Sequence, residues 1–207
     1  MSVALPAIAM VHEKHASVQC ELVVQDRVEM ERESVNLDFD LGFAVLPIAT
    51  RAVNVTRLGT SPIYAIVKRD HRLSTFTQVD VAEIVQEPII ALPDGTFDRR
   101  EMDSLFHSLS LKPKIRSIVP TIEAAARLVS TSGGVTFADE LSIASLAHLN
   151  ISAIRMTPTW HLDFGLFQPA HRRLSPIVAD MIQAVEKRME EIRHQRRLLE
   201  VVAPPCG

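Results

Sequence analysis

The feature that most constrains this chain is a change of hydrophobic period, repeated from one end to the other. Apolar residues at helical spacing (Leu5, Ile8, Ala9, Val11) give way to two-residue alternation at Val18, Cys20, Leu22 and Val24. A mostly apolar run over 39–48, stopped by Pro47, reads as a buried strand. Further strand-type runs lie at 53–58, 63–67, 89–92, 115–119, 135–138, 151–156 and 162–167. Between them lie helix-type segments at 79–85, after Asp94-Gly95-Thr96, from Thr121 to Val129, and at 139–146. Strands that alternate with helices predict parallel βαβ units, hence an α/β fold with helices on both sheet faces.

Local chemistry supports these boundaries. Pro6 sits in a first turn, where its missing N–H costs nothing. Asp26 is placed to cap a polar helix through about Val35, its carboxylate accepting free first-turn N–H groups. Met102, Leu105, Phe106 and Leu109 form one stripe, and Ser132-Gly133-Gly134 ends the helix before 135–138. Ser175-Pro176 opens the longest helix, with Ile177, Met181, Ile182, Val185, Met189 and Ile192 at helical spacing.

A chain of 207 residues buries enough surface to need no disulfide or metal for its core. The lengths allow two small sheets. Lobe I is expected over 1–67 and 166–200 and lobe II over 68–165, with 201–207 a flexible tail. The crossings fall at strand ends, 67–69 and 163–166, and a cleft between two such lobes suits a small ligand. With 22 basic and 25 acidic side chains, net charge −3, the chain lacks the cationic face of a free-standing nucleic-acid binder. Two cysteines, Cys20 and Cys206, fit a reducing cytoplasm. His12-Glu13-Lys14 interrupts the apolar start before a signal peptide could form, and no apolar run is long enough to cross a membrane. The expected location is cytoplasmic.

In this order the chain resembles the effector-binding domain of LysR-type transcriptional regulators. The tags are Leu5-Pro6 with its helix, His15-Ala16-Ser17-Val18, Phe39-Asp40-Leu41-Gly42-Phe43 and His71-Arg72-Leu73-Ser74. They continue in Glu87-Pro88-Ile89-Ile90-Ala91-Leu92, the step from Leu128-Val129 to Gly134-Val135, and Arg173-Leu174-Ser175-Pro176. The resemblance implies two Rossmann-like lobes of the type 2 periplasmic-binding-protein kind, joined by two crossover segments, with a ligand cleft between them. It implies a sensor of a small, anionic, carboxylate-bearing metabolite, with no cofactor and no catalysis. It also implies a homodimer or tetramer, in which the 5–14 helix of one chain lies near the 121–129 helix of another. DNA would be reached only through an N-terminal winged helix-turn-helix that this sequence does not include. Ala16 replaces the family's usual proline, and Ser132 stands where glycine is usual.

Candidate effector contacts come from the resemblance: Asp26, Arg27, Leu46, Pro47, Pro93, Asp94, Gly95, Thr96, Phe97, Thr136 and Phe137. Arg27, in a helix's first turn, could grip a carboxylate through two parallel N–H groups; equally, it could pair with Glu31 on the surface. The 93–97 loop combines a permissive Gly95 with the Thr96 hydroxyl, and it also reads as an ordinary turn with a threonine cap. His12 and His15, three apart, lack the spacing of a zinc-protease pair, and no metal site is expected. No nucleophile elbow, dinucleotide loop, Walker loop or C-x-x-C occurs. Arg188, Arg193, Arg196 and Arg197 interleave with glutamates as a solvated face. Two alternatives stay open: a solute-binding protein of the same fold, and a small enzyme on it. The second needs a convergent base that Arg27, Thr96 and Thr136 do not supply.

Overall fold

Helix α1, Ala4–Lys14, forms where the sequence places it, with Pro6 in the first turn and Ala7 and Val11 buried. The structure, a computed structural model, describes residues 1–25, 30, 39–48 and 52–202. The chain divides into two compact units: residues up to Gly59 with those from Asp163 on, and Thr60–Leu162. The divisions fall earlier in the chain than strand ends at 67 and 166 suggest.

In the first unit, α1 packs on α6, Pro176–Val202. Where α1 ends, Lys14 and His15 both reach Asp180 at 2.7 Å. The hydrogen bonds from Lys14 and then His15 hold the Asp180 carboxyl below the usual carboxylate range. Strand β1, Gly42–Val45, pairs antiparallel with β8, His161–Pro169, from Gly42 opposite Phe167 to Val45 opposite Phe164. Phe43 stacks on Phe164 at 5.6 Å, and Phe39 meets Phe167 edge-on at 5.3 Å. The next neighbour of β8 is β2, Val53–Lys68.

Two local expectations fail here. Residues 18–24 form no strand despite their alternation, and Val23 and Val24 are 62% and 72% exposed. Alternation marks a segment fit to pair, and among the described residues these have no ladder partner. The separate strands expected at 53–58 and 63–67 are one strand, because β2 runs through Gly59 and Pro62 and changes its neighbours along the way. The helix expected from Asp26 lies outside the described residues apart from Met30.

The second unit is built on a sheet ordered β3–β7–β2–β6–β4–β5. Its further strands are β3 (Gln78–Asp80), β4 (Pro88–Ala91), β5 (Lys114–Ile118), β6 (Val135–Asp139) and β7 (Ile151–Thr157). The sheet is mixed rather than parallel throughout. β3–β7, β4–β5 and β4–β6 are parallel, while β2 runs antiparallel to both β6 and β7. The long β2 supplies the antiparallel centre that alternation of elements along the chain does not reveal. The helix expected at 79–85 is shorter, α2 at Val81–Ile84, because β3 takes the first residues and Asp80 caps the remainder.

Helices α3 (Phe97–Ser108), α4 (Ile122–Ser132) and α5 (Glu140–Leu146) complete this unit. Each opens on a side-chain cap, from Thr96, Thr121 and Asp139 respectively. Ala126, Ala138, Tyr64, Ile66 and Leu146 form one buried cluster, and Ile90, Ala125 and Val129 another. The alanines of α4 let the helix sit close to the sheet. Gly134 has φ +90, and a Cβ there would lie 2.7 Å from the Pro88 carbonyl oxygen, so the step into β6 requires glycine.

Candidate ligand site in the second unit

Strand β6 carries Thr136 and Phe137 into the wall of a small cavity, and the first turn of α3 supplies Asp98 and Arg99. Leu92, Asp139 and Trp160 also line it, with Ile63, Met102 and Leu162 among its apolar walls. Every lining residue lies within the second unit. The cavity measures about 30 Å³, room for about two water molecules. It can therefore take one end of a small molecule, or a group of one or two heavy atoms.

Its electrostatics are unbalanced. Arg99 is committed elsewhere: 2.7 Å from Asp94, 3.0 Å from both Asp103 oxygens, and donating to the Leu92 carbonyl at 3.1 Å. Asp139 is 5% exposed and spends its oxygens on α5. One of them accepts from the Leu141 and Ser142 N–H groups at 2.8 and 3.1 Å, and the other from the Ser142 hydroxyl. Burial pushes the Asp139 carboxyl up, while those hydrogen bonds oppose the rise. Asp98 has no hydrogen bond or ion pair among the described residues. Burial first, then the charges of Asp139 and Glu101, push its carboxyl up to about 6. The Thr136 hydroxyl, on a residue 3% exposed, also has no partner among the described residues.

The residues singled out by sequence are only partly brought together. Thr136 and Phe137 line the cavity, and Phe137 also packs edge-on against Phe106 at 6.0 Å. The 93–97 loop leads into the helix whose first turn lines it. Within that loop Thr96 acts as a cap, accepting from the Arg99 N–H at 3.4 Å and donating to the Pro93 carbonyl at 2.9 Å. Asp94 is exposed and pairs with Arg99, Gly95 has φ +87 with open space around it, and Phe97 is half-buried in the first turn of α3. Leu46 and Pro47 belong to the first unit; the Leu46 N–H donates to the Asp163 carbonyl at 2.7 Å, and Pro47 is exposed. Asp26 and Arg27 lie outside the described residues. Sequence reasoning missed Asp98, Asp139 and Trp160 as lining residues. Trp160 was the most findable, being the sole tryptophan and next to a predicted crossing.

Comparison with known proteins agrees with the geometry. The family model described as the LysR substrate binding domain matches residues 1–190. The HTH-type transcriptional activator CmpR of Synechocystis is 23% identical over 159 residues, 73% of this chain and 52% of that protein. The chain thus spans about half the length of that curated relative. Among solved structures, the regulatory domain of CcmR from Synechocystis PCC6803, in complex with 2-PG, superposes with a TM-score of 0.77. It is 17% identical, over 87% of this chain and 88% of that one. The effector binding domain of QuiR in complex with shikimate gives 0.71 at 19% identity, over 89% of each chain. These likenesses show the fold, a mixed α/β architecture of the type 2 periplasmic-binding-protein kind. With the family model matched over residues 1–190, the chain belongs to the LysR substrate-binding domain family.

Proposed function

We propose that this chain is the effector-sensing part of a LysR-type transcriptional regulator and works in the cytoplasm without catalysing a reaction. The observation that carries the reading is the cavity on which Thr136, Phe137 and the first turn of α3 converge, in a chain of this family. Two of the effector contacts implied by the family resemblance thus line a concave site with unsatisfied polar groups. The other residues assigned to the effector are Asp26, Arg27, Leu46, Pro47 and Pro93 to Phe97. Arg27 takes the carboxylate of a small acidic metabolite through two parallel N–H groups. The similar domains of CcmR and QuiR were solved with 2-PG and shikimate, which supports a ligand of that size.

Sensing requires that the ligand bind one conformation more tightly than another, since equal affinity shifts no equilibrium. The readout passes through a homodimer or tetramer to DNA-binding domains outside this sequence. A thermal-shift screen with amino acids, aromatic acids and small dicarboxylates tests the reading. A ligand at a hundred times its dissociation constant adds about 2.7 kcal/mol of stability. Saturable stabilisation by at least one such compound is expected. A flat response across all three classes would overturn the sensing role.

A further inference from the structure

The cavity of the second unit has a chemical preference that the effector reading leaves open. Two polar groups line it without a hydrogen-bond or ion-pair partner among the described residues: the Asp98 carboxylate and the Thr136 hydroxyl, the latter on a residue 3% exposed. An ionised carboxylate can only accept and a hydroxyl can accept as well, so one donor-rich group would satisfy both. The nearest cation, Arg99, is held by Asp94, Asp103 and the Leu92 carbonyl. Asp139 adds negative potential without an oxygen to spare, since both serve the start of α5. Trp160 supplies an aromatic wall, which also favours a cation.

We propose that this cavity is the subsite for a primary ammonium group of the effector, with Asp98 as counter-charge and Thr136 accepting a further N–H. The assignment deepens the effector reading and rests on it: with a carboxylate at the other end, the ligand is an amino acid or a similar zwitterion. Size agrees, because about 30 Å³ admits an ammonium with one attached carbon and little more. A divalent cation fits less well. Among the described lining residues only Asp98 offers unpartnered carboxylate oxygens, and no group of three or more His, Cys, Asp or Glu side chains among the described residues could hold a metal. A carboxylate is excluded by charge, since Asp98 and Asp139 would both repel it.

The test uses Trp160, whose indole N–H gives the one tryptophan side-chain signal of the chain in a nitrogen–proton correlation spectrum. The full chain is titrated above neutral pH with methylammonium chloride, and in parallel with methanol, sodium acetate and sodium chloride at matched ionic strength. A saturable displacement of the indole signal is expected with methylammonium alone. Asp98→Asn, which keeps the shape and removes the charge, should weaken that binding about ten- to a hundredfold, as expected for a hydrogen bond to a charged group. Thr136→Val should weaken it by less. An equal response to methanol or acetate, an unchanged affinity in Asp98→Asn, or no response to methylammonium would each overturn the subsite. None of these outcomes would touch the effector reading, which stands or falls on the separate ligand screen.

Discussion

Asp98 should make the protein less stable as the pH rises from acid to neutral, and replacing it with asparagine should remove that loss. Its carboxyl moves from an ordinary 3.8 to about 6 in the fold, through burial and then the charges of Asp139 and Glu101. Below both values the group is protonated whether the chain is folded or not, and it contributes nothing. Between them the unfolded chain releases the proton while the folded one keeps it, so stability falls with rising pH. Above about 6 the loss is complete, at about 3 kcal/mol for a displacement of this size. Partial solvent access reduces this to about 2 kcal/mol.

The assay is urea denaturation of wild type and Asp98→Asn at several pH values from about 4 to about 8, reading the difference between the two at each. Subtracting the curves cancels the other titrating groups, including the Asp180 cluster. The variant should match wild type near pH 4 and exceed it by about 2 kcal/mol near pH 8, equivalent to about 4–8 °C in melting temperature for a chain this long. Saturating methylammonium should narrow that gap by stabilising wild type alone. A difference independent of pH, or one that favours wild type at high pH, would refute the account of a desolvated, uncompensated carboxylate.

Three further outcomes rest on named residues. Asp139→Asn keeps a competent cap for α5, so it should cost at most about 1 kcal/mol, while lowering the pH midpoint of Asp98 in the same denaturation series. Gly134→Ala forces a side chain into a positive-φ position 2.7 Å from the Pro88 carbonyl oxygen; urea denaturation should show a loss of about 1–3 kcal/mol. Arg27→Ala should weaken the best acidic ligand of the screen about ten- to a hundredfold. Arg27→Lys should recover part of that affinity, because an ammonium lacks the planar fork; calorimetric titration of the three proteins checks both.

Much of the fold was legible because periodicity and capping agreed over most of its length. Thr96, Thr121 and Asp139 each sit where a hydroxyl or carboxylate precedes a helical stripe, and each accepts from its helix's first-turn N–H groups. The failures share one cause: a period reports which face is apolar, not which strand lies alongside. Residues 18–24 alternate as a strand does, yet among the described residues they have no ladder. Residues 59–62, Gly-Thr-Ser-Pro, look like a turn, yet β2 runs through them because its two halves pair with different neighbours. Pairing is a tertiary property, and the single chain carries only indirect signs of it.

The site was legible in its backbone and opaque in its charge. Thr136, Phe137 and the loop ahead of α3 were marked because the family resemblance implies effector contacts at those positions. Asp98 carries no such mark. In sequence it is an acid in a first turn, the most ordinary place for one, where the dipole favours ionisation. What changes its chemistry is burial first and then the charge of Asp139, forty-one positions later in the chain, whose own oxygens are consumed in starting α5. The same residue that caps one helix thus charges the wall of the cavity beside another. A capping requirement in α5 and a ligand preference at α3 are therefore coupled through a single carboxylate. A lysine or arginine placed to neutralise Asp98 would fill the space that the proposed ammonium of a ligand needs.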